Sequence, residues 1–110
     1  MKATESLAGS ILREAEDDWI PLDMLLWHAR QSAATTGDGF EKAAIEVLRV
    51  LLERGWMEIG DLADSGFVAW TDPVGEILRR VRADCEAVDW EPLGGLYWLS
   101  ITPAGLRHVS

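Results

Sequence analysis

The stretch FEKAAIEVLRVLLERGWMEIG, residues 40–60, decides the interpretation of the whole chain. Its first part repeats apolar residues every three to four positions, which is the spacing of a helix with one buried face. Asp38 lies just before it as a suitable N-cap, and Glu41 three residues later fits a capping box. Gly55 occupies a position at which a left-handed residue commonly ends a helix. These signals predict a helix from about Gly39 to Arg54.

The rest of the chain carries weaker signals of the same kinds. Apolar residues at helical spacing predict two helices before this stretch and one after it, while β-branched and aromatic residues predict two short strands. The segment over residues 61–70 is predicted as a loop that contains at most a few extended residues. In chain order the predicted elements are a helix over about Glu5–Glu16, a helix with Pro21 in its first turn and Ala33 near its end, the helix over Gly39–Arg54, a strand over Trp56–Ile59, a helix within residues 71–88, a strand over Leu96–Ile101 and a short helix opened by Thr102-Pro103.

These elements predict an α+β fold that is mostly α and forms a single domain over residues 1–110. The first three helices form the core. The strands over Trp56–Ile59 and Leu96–Ile101 pair as a two-stranded hairpin, and the fourth helix is inserted between them.

Two motifs, VLLERGWMEIG at residues 50–60 and LYWLSITPAGLRHV at residues 96–109, carry a family resemblance. They resemble the paired landmarks of winged-helix bacterial regulators, in which the recognition helix ends in a Leu-x-x-x-Gly turn and the second wing strand ends in Leu-Thr-x-x-Gly. The resemblance implies a winged-helix-like fold whose third helix enters the major groove of DNA. The segment over residues 61–94 departs from the family, because a wing normally joins its strands by a few residues.

A DNA-binding transcriptional regulator is therefore the alternative function. Its contact residues would be Lys42 and Arg49 on the third helix and the basic cluster of Arg79, Arg80 and Arg82. The outward stripe of the third helix also carries two glutamates that are spaced to pair with its two cations, so the stripe is neutral overall. Binding to duplex DNA depends on several cationic contacts with phosphates. We therefore favour a solvated helix face over DNA recognition.

The charge of the chain favours a different partner. Nineteen Asp and Glu residues oppose ten Lys and Arg residues, which gives a net charge of −9. Such a surface repels nucleic acid and anionic membranes and attracts cationic proteins. Acids cluster beside a tryptophan at two places, and Glu58, Asp61 and Asp64 form a third acidic group. The predicted partner-binding residues are Glu16, Asp17, Asp18, Trp19, Asp89, Trp90 and Glu91.

The six tryptophans divide into two groups by position. Trp27, Trp56 and Trp98 lie in regular elements and are predicted to fill the core. The other three lie in segments predicted as loops, next to Asp, Thr or Glu. Aromatic side chains commonly anchor protein interfaces, so any of these three that is exposed is a candidate contact residue.

Nothing in the sequence predicts an enzyme. His28 and His108 have no nucleophile at a recognisable spacing, and Cys85 lies on the apolar stripe of its helix. We expect no metal site and no cofactor. A single cysteine, together with the lack of a predicted membrane span or secretion signal, favours the cytoplasm.

The sequence thus predicts a small acidic protein-interaction module. An inhibitor or immunity-type protein that covers a basic partner would be one example. The sequence does not specify the partner or the oligomeric state.

Overall fold

Five helices and a four-stranded antiparallel sheet make up the part of the chain that the computed structural model describes, residues 2–36, 39–93 and 96–109. The fold is therefore α+β and mostly helical, as predicted. In chain order the elements are α1 (Lys2–Glu14), β1 (Ile20–Pro21), α2 (Leu22–Thr36), α3 (Phe40–Glu53), β2 (Met57–Ala63), β3 (Gly66–Ala69), α4 (Val74–Ala87), β4 (Trp98–Ile101) and α5 (Pro103–Val109). No helix in these residues is long and apolar enough to cross a membrane.

The core lies between the helices and one face of the sheet. α1, α2 and α3 pack against one another, α4 packs on α3, and α5 contacts α1 and β4. Each of the helices α1 to α4 contributes the apolar stripe that its sequence spacing predicts. The largest fully buried side chains are Ile11, Leu12, Leu22, Leu25, Leu26, Val47, Leu48, Leu51, Met57, Ile59, Val81 and Leu99.

The end of α3 confirms the prediction made from Gly55. This residue has φ 70°, a conformation that glycine adopts without steric cost. Its N–H donates to Leu52 O at 3.1 Å, and the N–H of Trp56 donates to Leu51 O at 3.0 Å. These two bonds form a Schellman motif, which satisfies carbonyls left open at the end of the helix.

α3 begins one residue after its predicted start at Gly39. The helix begins at Phe40, and Gly39 precedes it without a side-chain capping bond. The predicted N-cap, Asp38, lies outside the described residues.

Thr102 joins the end of α3 to the start of α5. Its hydroxyl donates to Gly55 O at 2.5 Å, and its N–H donates to Trp56 O at 3.0 Å. The same hydroxyl accepts a hydrogen bond from the N–H of Gly105 at 3.0 Å, which caps α5 as the Thr-Pro signal predicts. The rings of Trp56 and His108 stack with centroids 3.8 Å apart. The two sequence motifs are therefore in direct contact.

The sheet has the order β1-β4-β2-β3. β2 pairs with β4 in the register Met57↔Ile101 to Gly60↔Trp98, so the predicted pairing of these two segments is confirmed. The predicted two-stranded hairpin is nevertheless incomplete, because the sheet gains a strand on each side.

The prediction of a loop over residues 61–70 is wrong. β2 continues to Ala63 and returns through a two-residue turn as β3, with Ala63 opposite Gly66. Phe67 and Val68 favour a strand, but the Gly, Ala, Asp and Ser residues around them have little strand preference, so the strand depends on pairing with β2.

The prediction for Pro21 is also wrong. Pro21 belongs to β1, opposite Trp98, and α2 begins one residue later at Leu22. The N–H of Leu22 donates to Tyr97 O at 2.9 Å, which ties the start of α2 to the sheet.

A pair of glycine substitutions tests the contact between the two motifs. A Cβ added at Gly105 would lie 2.2 Å from Trp56 O, whereas one added at Gly75 in α4 meets nothing within 4 Å. We expect Gly105→Ala to lower the free energy of unfolding by about 2 kcal/mol through overpacking. Gly75→Ala should raise it by about 0.5 kcal/mol. Urea denaturation measures both, and equal effects would contradict the close approach at Gly105.

Candidate protein interface

An acidic segment follows α1 and forms one wall of a cleft. α1 ends with the N–H of Ala15 bonded to Ile11 O at 3.2 Å and to Leu12 O at 3.1 Å. The next three side chains, all exposed, are acidic. The cleft has a volume of about 320 Å³ and is lined by Ala15, Glu16, Asp17, Asp18, Trp19, Ser100 and Ile101. The structure therefore brings four of the seven predicted contact residues together in one concave site.

Trp19 extends this cleft into an apolar patch. Its side chain is 41% exposed, and its ring stacks on Phe67 with centroids 6.3 Å apart. Phe67 lies opposite Leu62 in the β2–β3 pair, so both share one face of the hairpin. Leu62 is 40% exposed. We call Trp19, Leu62 and Phe67 the Trp19 patch.

One further acid lies beside this surface, and one of the acids that line the cleft restricts Trp19. Glu58 is exposed and is the register partner of Ser100, which lines the cleft. The Asp18 carboxylate accepts a hydrogen bond from the N–H of Trp19 at 2.8 Å, which restricts the backbone beside the tryptophan. The cleft and the Trp19 patch thus combine negative charge with a held aromatic side chain.

Trp90 does not have the position that its predicted role as an anchor requires. Its side chain is only 8% exposed and belongs to the hydrophobic core. Its ring meets Phe40 edge to face at 6.0 Å, and Arg30 Nη2 donates to its carbonyl at 2.5 Å. The N–H of Trp90 donates to Cys85 O at 2.7 Å. Trp90 is therefore a core residue, and the chain that follows α4 packs against the core at this position.

The backbone that buries Trp90 is left-handed at two consecutive residues. Asp89 has φ 54° and Trp90 has φ 61°. The N–H of Asp89 donates to Glu86 O at 3.2 Å, so α4 ends in the same two-bond motif as α3, with aspartate in place of glycine. Aspartate tolerates this conformation better than most residues, but it does so at a steric cost. Asp89 and Glu91 are exposed, yet neither lines the cleft.

The tryptophans predicted as core residues are more exposed than expected. Trp27 is 51% exposed on α2, and Trp56 and Trp98 are half-buried. The spacing of the buried residues Leu25, Leu26 and Ala29 contains the signal that identifies Trp27 as outward-facing. Trp70, predicted in a loop, is half-buried, and its Nε1 donates to the Asp61 carboxylate at 2.8 Å.

Of the two cations of α3, Arg49 is neutralised by neighbouring glutamates. Arg49 Nε donates to Glu46 at 3.0 Å, and Arg49 Nη1 donates to Glu53 at 2.6 Å. The hydrogen bond with Glu46 raises the pKa of Arg49 further above its ordinary value. The predicted Arg49–Glu53 pair is confirmed, but Glu46 pairs with Arg49 rather than with the exposed Lys42. The third helix therefore offers little free positive charge to a phosphate backbone.

The arginines of α4 pair differently from the prediction. Arg79 bonds Glu76 at 2.8 Å, and Arg80 lies 3.7 Å from Asp84. Arg80 also lies over the ring of Trp70, 3.8 Å from its centroid. The i,i+4 spacing in the sequence predicts a Glu76–Arg80 pair and an Arg82–Glu86 pair. The described ion pairs include neither, and Arg82 is exposed. Arg80 therefore acts as a packing residue between α4 and the sheet.

The described part of the chain contains no candidate metal site. No group of three His, Cys, Asp or Glu side chains there could hold a metal ion. Cys85 is fully buried, and burial, with smaller effects from Asp84 and Asp23, raises its pKa to about 11. His28 Nε2 lies 3.5 Å from Glu14. Neither Cys85 nor His28 lines the cleft beside Trp19.

Comparisons with family models, with curated proteins and with solved structures found no match to this chain. The site is therefore interpreted from its own geometry.

A substitution at Asp89 tests the strain at the end of α4. We expect Asp89→Gly to raise the free energy of unfolding by about 1 kcal/mol, because glycine adopts the left-handed conformation without a Cβ penalty. Asp89→Ala removes the same charge but keeps the Cβ, so it should give no gain. Thermal denaturation should show the difference as a few degrees in Tm. Equal increases in Tm for Asp89→Gly and Asp89→Ala would show that the lost negative charge, and not the relieved backbone strain, stabilises the fold.

The thiol of Cys85 provides a pH test of its burial. With its pKa raised from 9.0 to about 11, it should hold roughly 100-fold less thiolate at pH 8 than an exposed cysteine. The raised pKa stabilises the folded state below pH 9, and this contribution is lost as the pH rises toward 11.

We expect an aromatic disulfide reagent to label Cys85 at pH 8 only in denaturant. Cys85→Ala, which lacks the titrating group, should lose less stability than the native protein between pH 8 and pH 10, as measured by urea midpoints. Rapid labelling of the folded protein would contradict the buried position.

Proposed function

We propose that this chain is a small acidic protein-interaction module that binds a basic protein partner through the cleft and the Trp19 patch. The observation that carries the proposal is the placement of Glu16, Asp17 and Asp18, all exposed, in one cleft with the exposed ring of Trp19. Aromatic side chains provide buried contact area at interfaces, and complementary charges guide the encounter and the orientation.

The site is organised before any partner arrives. Trp19 is held by its contact with Phe67, and the Asp18 carboxylate restricts its backbone. Fixing an aromatic side chain in advance lowers the conformational entropy lost on binding. The net charge of −9 also accelerates association with a cationic surface at low ionic strength.

An inhibitor or immunity-type protein fits this chemistry. Such a protein covers a cationic functional surface, and a concave acidic site beside an aromatic anchor is suited to that role. We place its action in the cytoplasm, where an unpaired cysteine such as Cys85 stays reduced. The partner needs an exposed group of Lys or Arg side chains beside an apolar contact point.

We further propose a winged-helix-like arrangement as the scaffold. In it α1, α2 and α3 are the three-helix core and the β2–β4 pair is the wing, with β3 and α4 inserted between those strands. The bonds from Thr102 to Gly55 and Trp56 support this assignment, because they join the two motifs that carry the resemblance.

The alternative is a DNA-binding regulator that uses Lys42, Arg49 and the arginines of α4. The pairing of Arg49 with two glutamates weighs against it, since these bonds must break before Arg49 can contact phosphate. Exposed pairs are weak, however, so a direct binding measurement decides between the two functions.

Fluorescence anisotropy with two labelled probes tests the proposal. At low salt we expect the native chain to bind an octa-arginine peptide and to leave a mixed-sequence duplex DNA free. The double variant Glu16→Gln/Asp17→Asn should weaken peptide binding about fivefold, which is the loss expected for two exposed charge contacts.

The matched control is Asp89→Asn/Glu91→Gln, which also removes two negative charges but lies outside the cleft. It should bind the peptide within twofold of the native chain. Equal losses in both double variants would show that net charge alone attracts the peptide and would contradict the site. Duplex binding that falls with Lys42→Ala/Arg49→Ala would favour the regulator.

A further inference from the structure

The two outer edges of the sheet differ in their ability to pair with another strand. At the β1 edge, Leu22 bonds inward to Tyr97, so Pro21 and Trp19 are the neighbouring residues whose backbone faces outward. Pro21 has no N–H, and the N–H of Trp19 is taken by the Asp18 carboxylate. This edge is therefore closed to strand addition.

The β3 edge lacks both of these protections. The N–H of Trp70 donates to Ile59 O at 2.9 Å, so alternate residues of β3 bond to β2. The N–H and C=O groups of Phe67 and Ala69 consequently point away from β2. Proteins normally protect such an edge with proline or charge, but Gly66–Ala69 contains neither.

The side chains around the β3 edge favour an added strand of one particular composition. The hairpin over residues 57–70 contains three acids and no Lys or Arg. One face of β3 carries Phe67 of the Trp19 patch, and the other carries Val68, which is 50% exposed and opposite Asp61. An added strand with alternating cationic and apolar residues would match these two faces.

We infer that β3 accepts an extended, Lys- or Arg-bearing segment of the partner as a fifth strand of the sheet. The inference rests on the proposed function and specifies how the basic partner is held. A second copy of this chain is a poorer occupant, because two chains of charge −9 would bring two acidic hairpins together.

The test uses a labelled heptapeptide that alternates lysine and valine. We expect Ala69→Pro to weaken its binding about tenfold, because proline removes an outward N–H while the bonds to β2 remain. Ala69→Thr is the matched control, since it changes the same side chain and keeps the N–H. It should bind as the native chain does. Circular dichroism and Tm establish that both variants are folded.

A second probe separates backbone pairing from charge attraction. The same heptapeptide with N-methylated amides keeps its lysines but loses the donors that pair with β3. We expect it to bind the native chain about tenfold more weakly than the parent peptide. The amide resonances of Phe67 and Ala69 should shift on addition of the parent peptide.

Equal binding by Ala69→Pro, Ala69→Thr and the native chain overturns strand addition. If octa-arginine binding still depends on Glu16 and Asp17 in that case, the proposed function stands without it. Analytical sedimentation measures whether the native chain is a dimer. A dimer that is lost in Ala69→Pro would show that β3 pairs with a second copy of this chain, which would also overturn the inference. Absence of heptapeptide binding to the native chain overturns it as well.

Discussion

The hydroxyl of Thr102 is the point on which the arrangement of this fold depends. It donates to Gly55 O and accepts from the N–H of Gly105, so one side chain joins the end of α3 to the start of α5. β4 ends one residue earlier and is therefore held beside β2. Because Ser100 and Ile101 belong to β4 and line the cleft, the same bond fixes one wall of the candidate interface.

The features that could be predicted from the sequence are those with local causes. The Gly55 helix end and the Thr102 cap depend on residues within a few positions, so their patterns are sufficient. β3 was missed because it is only four residues long and its two strand-favouring residues, Phe67 and Val68, do not distinguish it from a loop until it pairs with β2. The prediction that Trp90 is a contact residue fails because the backbone is left-handed at Asp89 and Trp90, which directs the side chain into the core. The sequence contains no glycine there to indicate such a conformation. At the candidate site, the acidic cluster next to Trp19 is visible in the sequence, whereas its position beside β3 and β4 depends on the fold.

Charge is distributed unevenly over the molecule. On α3 and α4, Arg49, Arg79 and Arg80 engage carboxylates of their own helix, and Arg80 also stacks on Trp70. The acids beside Trp19 lie instead on a segment without Lys or Arg, residues 14–29. The excess negative charge is therefore available at the cleft, where it meets an apolar patch. This combination distinguishes the cleft from an ordinary solvated acidic surface.

The unequal edges of the sheet also limit how far assembly can proceed. A sheet that is open on both sides can add strands repeatedly and grow into fibres. Here Pro21 and Asp18 block strand addition at the β1 edge, so a molecule that adds a strand at β3 would end a stack of strands and would not extend it. The chain should therefore form complexes of fixed stoichiometry and stay soluble at concentrations where a doubly open sheet would aggregate.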